Sequence, residues 1–267
     1  MPKLCANLTM LWNELDFLDR FAAAARAGFR GVEFLFPYDY EKERIAEQLH
    51  QHGLVLVLHN LPAGNWAEGE RGIACDPRRV GEFQDGVARA IEYAQALGCR
   101  QLNCLAGIRP RNVDPGDARE TFIRNLQFAA PRLKEHGIRL LIEPVNSRDI
   151  PGFFLSYSRQ ALDIIRAVGS DNLFLQYDIY HAQVMEGDLA RTIEEHLASI
   201  PHIQIADNPG RHEPGTGEIN FDFLFRHIDR LGYQGWIGCE YRPRAGTDAG
   251  LGWAKPYLEA RAGSAGA

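Results

Sequence analysis

The sequence has no cationic excess: 29 Lys and Arg stand against 35 Asp and Glu, a net charge of −6. A dedicated nucleic-acid binder needs basic side chains to replace the counterions of a phosphate backbone, so the balance argues against that class. Cysteine is scarce too. Cys5, Cys75, Cys99, Cys104 and Cys239 are scattered and form no CxxC pair, which argues against a disulfide scaffold and against a thiolate zinc site. Cys5, Cys104 and Cys239 lie in strand-like runs and read as small buried apolar residues. Long apolar runs are missing. The longest aliphatic stretch, Leu54–Leu58, is far too short to span a bilayer, and Glu14 and Asp16 arrive before any signal-like core. The chain is expected to be soluble and cytoplasmic, without a membrane or nucleic-acid partner. GxxxxGK(S/T), HExxH and GxSxG are also absent, and with them the usual markers of nucleotide hydrolysis, zincin proteolysis and α/β-hydrolase chemistry.

A core is affordable, since 45% of the 267 residues are hydrophobic. Short apolar runs recur at Leu4–Thr9, Gly31–Leu35, Leu54–His59, Gln101–Leu105, Arg139–Glu143, Leu173–Asp178, His202–Asp207 and Gly235–Glu240. Amphipathic stretches such as Leu15–Ala27, Val80–Leu97, Arg119–His136 and Leu189–Ser199 separate them. Gly28, Gly53, Gly98, Gly137, Gly169 and Gly232 each stand where a helix should stop and a strand begin, the position of a left-handed C-cap. Strand and helix alternating in units of about 30 residues predict a parallel sheet, and eight such units favour a closed (β/α)8 TIM barrel. One domain is expected over 1–267, with 260–267 as a flexible tail; a homo-oligomer is compatible with this reading. The connections after the third, fourth, fifth, seventh and eighth runs are long and polar. They would ring the face of the barrel that carries chemistry.

Polar groups stand where a core would not choose them. The fifth run ends in Glu143, the sixth in Asp178 and the eighth in Glu240, while Gln204 interrupts the seventh between Ile203 and Ile205. A strand-end acid is ordinarily a solvated cap, but four consecutive strands delivering hard oxygen donors point to a divalent metal, Mg²⁺ or Mn²⁺ rather than a thiolate-seeking ion. Without a cation, three crowded carboxylates would repel one another and bind protons more tightly. His59 and His181, near the ends of the third and sixth runs, are further candidates for the mouth. The Gly215-Thr216-Gly217 segment lacks the third glycine of a dinucleotide fingerprint and reads as a loop.

The segment His202–Asn220 (HIQIADNPGRHEPGTGEIN) resembles the strand-7 signature of the hydroxypyruvate isomerase family, which includes the 2-oxo-tetronate isomerases. Leu141–Asn146, Pro151–Phe154, Gln176–His181 and Gly238–Tyr241 are similar to the same family, and the likeness runs through essentially the whole chain. The resemblance implies a xylose-isomerase-like barrel in which Glu143 and Glu240 are the proton donor/acceptor pair. It also implies that Glu143, Asp178, Gln204 and Glu240 hold the metal. Many sugar epimerases of the wider superfamily carry a histidine where Gln204 stands, so the expected site here is all-oxygen.

The implied reaction interconverts hydroxypyruvate and tartronate semialdehyde through an enediolate, or alternatively isomerises a 2-oxo-tetronate. The substrate is a small hydroxy-keto acid, bound by His59, His181 and an arginine. Among Arg109, Arg148, Arg211 and Arg242 in the mouth loops, Arg211 leads because it lies inside the strand-7 signature; a guanidinium fork suits a substrate carboxylate. Rival readings are a ketose epimerase or a metal-dependent endonuclease on the same barrel, and a non-catalytic sugar-acid binder, for which a strand-5/strand-8 glutamate pair has no purpose.

Overall fold

In a computed structural model that describes residues 1–262, eight parallel strands pair in chain order and close on themselves. They are β1 (Lys3–Asn7), β2 (Gly31–Glu33), β3 (Val55–Asn60), β4 (Gln101–Cys104), β5 (Arg139–Ile142), β6 (Leu173–Asp178), β7 (His202–Ile205) and β8 (Trp236–Cys239). Closure runs through β8 and β1, with Leu4 opposite Ile237 and Cys5 opposite Gly238. Around the barrel lie α1 (Asp19–Arg26), α2 (Lys42–Gln51), α3 (Val80–Leu97), α4 (Pro115–Glu135), α5 (Ser158–Val168), α6 (Ile179–Met185), α7 (Leu189–His196) and α8 (Phe221–Arg230), followed by α9 (Thr247–Gly250) and α10 (Lys255–Ala262). The (β/α)8 architecture is the one the alternation predicts.

The helices form for reasons visible in their spacing. In α3, Phe83, Val87, Ala90, Ile91, Ala94 and Leu97 recur every three or four residues and make one buried stripe against the sheet. It stops at Gly98, whose φ of +68° suits a residue without a Cβ. α4 begins four residues before the expected Arg119. Asp114 caps it by accepting from the Gly116 N–H at 2.7 Å, and Pro115 takes the first helical position. α1 starts at Asp19 rather than Leu15, because residues 8–18 are held in turns partly by the Arg20 guanidinium on the carbonyls of Leu8 and Leu15. The expected tail overlaps α10, which is helical through Ala262; residues 263–267 lie outside the described part of the chain.

Several strands end one or two residues before the apolar runs do, so Glu143 and Glu240 stand just beyond the ladders of β5 and β8. The barrel floor is a plug of Cys5, Val57, Leu58 and Leu141 with Phe174 and Trp236. Two glycines make room inside: a Cβ on Gly31 would lie 2.7 Å from the Trp236 ring, and one on Gly238 would lie 2.4 Å from the Glu33 carboxylate. All five cysteines are buried and unpaired. No helix among the described residues is long and apolar enough to cross a membrane.

Candidate active site

Glu143, Asp178 and Glu240 are all at most 5% exposed and sit at the C-terminal ends of β5, β6 and β8. A guanidinium joins two of them. Arg211 lies in the loop after β7 with φ at +58°, and its Nη2 is 3.5 Å from Asp178 Oδ2 and 3.3 Å from Glu240 Oε2. Its plane is steadied over the Tyr180 ring at 5.3 Å. Three carboxylates therefore share one nearby guanidinium.

That shortage shows in their proton affinities. Burial pushes Glu143 well above the usual carboxylate range, and the charges of Glu240 and Asp178 push it further; Arg211 and the Asn103 hydrogen bond only partly offset this. Glu240 is pushed up to about 8 by burial, against the pull of Arg211. Burial raises Asp178 as well, countered by Arg211 and by the N–H groups of Tyr180 and His181 that its Oδ1 accepts. Its other oxygen, Oδ2, is buried with no hydrogen-bond partner.

His181, on the first turn of α6, completes the cluster. The Asn146 carboxamide oxygen accepts from the N–H groups of Arg148 and Asp149, so its NH2 faces the imidazole and donates to Nδ1 at 2.7 Å. This network assigns the proton to Nε2, which points at Asp178 Oδ2 (3.6 Å) and Glu143 Oε1 (4.0 Å). Burial and then the Arg211 charge hold the ring well below the ordinary histidine range, so it stays neutral at neutral pH. On the other side, Asn103 of β4 donates to Glu143 Oε2 at 2.7 Å.

The remaining expected residues are placed differently. Gln204 stands beside Asp178 in register, but its amide donates to Glu33 Oε1 at 2.8 Å and its oxygen accepts from Gln176 at 2.6 Å. His59 is wholly buried against Phe34 and Tyr38, with Nδ1 3.1 Å from the Asn60 carbonyl; burial lowers it to about 4. No hydrogen bond or ion pair among the described residues joins it to the acids. Of the arginines, Arg109 is turned onto the Val113 carbonyl, and Arg148 and Arg242 are exposed. Arg211 alone of these four reaches the carboxylates. The Gly215–Gly217 loop wraps the buried Asp207 carboxylate, which accepts from the N–H groups of Asn208, Gly215, Gly217 and Ile219. Its amides serve the chain's own acid, not a phosphate.

Glu33, Asn103, Asn146 and His202 were not singled out in the sequence. Glu33 and Asn103 carry the signal that marked Gln204, a polar residue inside an apolar run. A cavity of about 870 Å³ lies at the opposite end of the barrel among the first residues of the strands, including Val55, Gln101, Arg139 and Trp236. It is remote from the acids.

The residues fit a hard divalent cation: oxygens of Glu143 and Asp178 lie within 4.8 Å of each other, and the Asp178 Oδ2 lone pairs are unused. Atoms of Cys5, Glu33 and His202 are equally close, but there the carboxylate oxygens are already taken by donors.

A closed parallel barrel with acids gathered at its C-terminal mouth defines the class, and the xylose isomerase-like TIM barrel family matches residues 21–257; the chain belongs to that family. Within it, the chain is 55% identical to hydroxypyruvate isomerase of Escherichia coli (strain K12), covering 96% of this chain and 100% of that one. It is 50% identical to 2-oxo-tetronate isomerase of Cupriavidus necator, over 97% and 99% of the two chains. A crystal structure from Brucella melitensis described as an AP endonuclease, family 2, superposes with a TM-score of 0.94 at 48% identity, covering 96% of this chain and 99% of that one. The resemblance read from the strand-7 segment thus holds at the level of the whole chain.

Proposed function

We propose that the protein is an isomerase of a short hydroxy-keto acid, interconverting hydroxypyruvate and tartronate semialdehyde, with a 2-oxo-tetronate as the second-ranked substrate. The observation that carries this is the convergence of Glu143 and Glu240 from β5 and β8 on one buried cluster that also holds Arg211. The full-length likeness to two isomerases of such acids supports it.

The reaction moves a carbon-bound proton from C3 to C2 of hydroxypyruvate, while the hydroxyl proton passes from the C3 oxygen to the C2 oxygen. One glutamate accepts from carbon and the other donates. A carboxyl whose proton affinity is raised into the neutral range is poised for both tasks, and Glu240 at about 8 is in that range. Arg211 would receive the substrate carboxylate, since it is the mouth arginine directed at the acids. His181, neutral with its proton on Nε2, can donate a hydrogen bond to a substrate oxygen. Glu143, Asp178, Gln204 and Glu240 would hold a Mg²⁺ or Mn²⁺ ion, which when bound supplies electrostatic stabilisation to the developing enediolate oxygens. His181 stands close enough to Glu143 and Asp178 to border that set as a hydrogen-bond donor.

The endonuclease description of the Brucella structure raises a second reading. The net charge of −6 opposes a DNA-binding groove, and the mouth offers His181 but no histidine-rich multi-metal cluster among the described residues. The test is kcat/KM for hydroxypyruvate, 2-oxo-tetronate and neutral trioses, tetroses and ketohexoses under one metal loading, alongside nicking of abasic DNA. A preference for a neutral sugar, or efficient nicking, defeats the proposal. The cytoplasm is the proposed setting, in keeping with five unpaired cysteines.

A further inference from the structure

Beneath the acids lies a second polar cluster, centred on Glu33, that meets the proposed metal set only at Gln204. Glu33, at the end of β2, is wholly buried and accepts from four donors: Asn7 Nδ2 (3.0 Å) and Gln204 Nε2 (2.8 Å) on Oε1, and His202 Nε2 (2.7 Å) and Cys5 Sγ (3.4 Å) on Oε2. Space for this carboxylate exists only because residue 238 is glycine. Oxygen and nitrogen of a glutamine amide have nearly the same size, so shape does not decide which of them is turned to Glu33 and which away from it; partners do. Gln176, the other partner of Gln204, is itself an amide and could satisfy either orientation; its Nε2 donates to the Gln204 oxygen at 2.6 Å, which occupies one of that oxygen's two lone pairs and leaves the other for a ligand, and its own Oε1 has no partner. A carboxylate surrounded by donors accepts only. Glu33 therefore tolerates the nitrogen of Gln204 and rejects the oxygen.

We infer that Glu33 is a positioning residue that turns the Gln204 amide so that its oxygen, not its nitrogen, is offered to the metal. The inference rests on the reading of Gln204 as a ligand. The Asn7, His202 and Cys5 hydrogen bonds hold Glu33 in place, with its carboxylate packed against Gly238.

Mn²⁺ affinity reports the orientation of the Gln204 amide without turnover. Mn²⁺ is titrated into metal-free protein and followed by electron paramagnetic resonance for the wild type, E33Q, the swap E33Q/Q204E and D178N, with the melting temperature of each metal-free protein recorded in parallel. In E33Q the side chain at position 33 gains donors, the Gln204 amide loses its reason to point one way, and Mn²⁺ should bind about 10- to 100-fold more weakly. In the swap, the amide at position 33 donates to a carboxylate at position 204, whose second oxygen is free for the metal. Binding should return to within about threefold of the wild type or become tighter. A general packing role predicts no weakening in the isosteric E33Q for the swap to rescue. If E33Q binds Mn²⁺ as the wild type does while D178N does not, the metal reading stands and this inference falls; a swap no better than E33Q also overturns it. If the wild type holds no Mn²⁺, the metal reading fails and this inference with it. Should E33Q not fold, the swap decides alone: if it binds Mn²⁺ more than about threefold more weakly than the wild type, the inference is wrong.

Discussion

Two carboxylate clusters share the interior of this barrel, and they differ in how many donors each is given. Below, Glu33 is pushed up by burial, but the adjacent His202 and the hydrogen bonds from His202, Gln204 and Asn7 outweigh that and hold it under the ordinary carboxylate range. Above, Glu143, Asp178 and Glu240 divide one guanidinium among them, and all three are raised. A buried acid with enough donors keeps its charge and behaves as scaffold; acids short of donors hold on to protons and leave lone pairs such as Asp178 Oδ2 for a ligand. Burial is common to both levels, so the donor count makes the difference.

The sharpest break between the levels should come from neutralising one acid in each by an isosteric change. E143Q and E240Q keep shape and an oxygen but lose the base, so kcat should fall by about 10²–10⁴, while the metal-free protein melts no lower than the wild type because a repulsive charge has gone. Stopped-flow turnover and thermal melts together check this; variants within a few-fold of wild-type activity would remove the glutamates from the chemistry. The mirror-image experiment is His202→Leu. It takes a close donor from a wholly buried carboxylate, and urea unfolding should report a loss of about 3–5 kcal/mol. Stability within 1 kcal/mol of wild type by the same ~1 kcal/mol yardstick for a net hydrogen bond would mean that the lower cluster is not the support described.

Arg211→Met probes the single cation of the upper level. Its loss should raise KM for an acid substrate by about 10- to 100-fold, the scale of a hydrogen bond to a charged group. It should also lower the melting temperature of the metal-free protein at pH 8, where the acids are most fully charged. An unchanged KM would send the substrate carboxylate elsewhere.

The smallest effect is a slope. Glu240 binds protons more tightly when folded, about 8, than its ordinary value of 4.5, so the folded state favours the protonated form. Its stabilising share is complete below about 4.5 and is lost as pH rises towards 8. Glu33 has the opposite sign: lowered on folding, it contributes above its ordinary value and is lost as pH falls through its folded one. Melts of metal-free protein should therefore decline from pH 5 to 8, the decline should shrink in E240Q, and Mn²⁺ should flatten it. Stability that rises steadily over that range would contradict the donor shortage.

Much of this was legible from pattern. Glu143, Asp178, Gln204 and Glu240 stand out because an apolar strand run has a local rule and these residues violate it. Glu33 violates the same rule inside Gly31–Leu35 and Asn103 inside Gln101–Leu105, yet a lone polar residue in a short run has no meaning until its partner is known. The partner of Glu33 is His202, 169 positions away. His59 and His181 are alike in sequence, each near the end of a strand run. Only packing separates them, one against Phe34 and Tyr38, the other held by Asn146 beside two acids.

Strand, helix and cap are written in neighbouring residues, because periodicity and left-handed glycine positions act over a turn or two of chain; hence the barrel and the chemical character of its mouth follow from reading along the sequence. Which arginine reaches the acids, which histidine joins them, and which way the Gln204 amide faces depend on groups brought together from β2, β6, β7 and the loop after it. Electrostatic and hydrogen-bond energies fall off over a few ångströms of space regardless of separation along the chain. Those choices were made by the closing of the barrel.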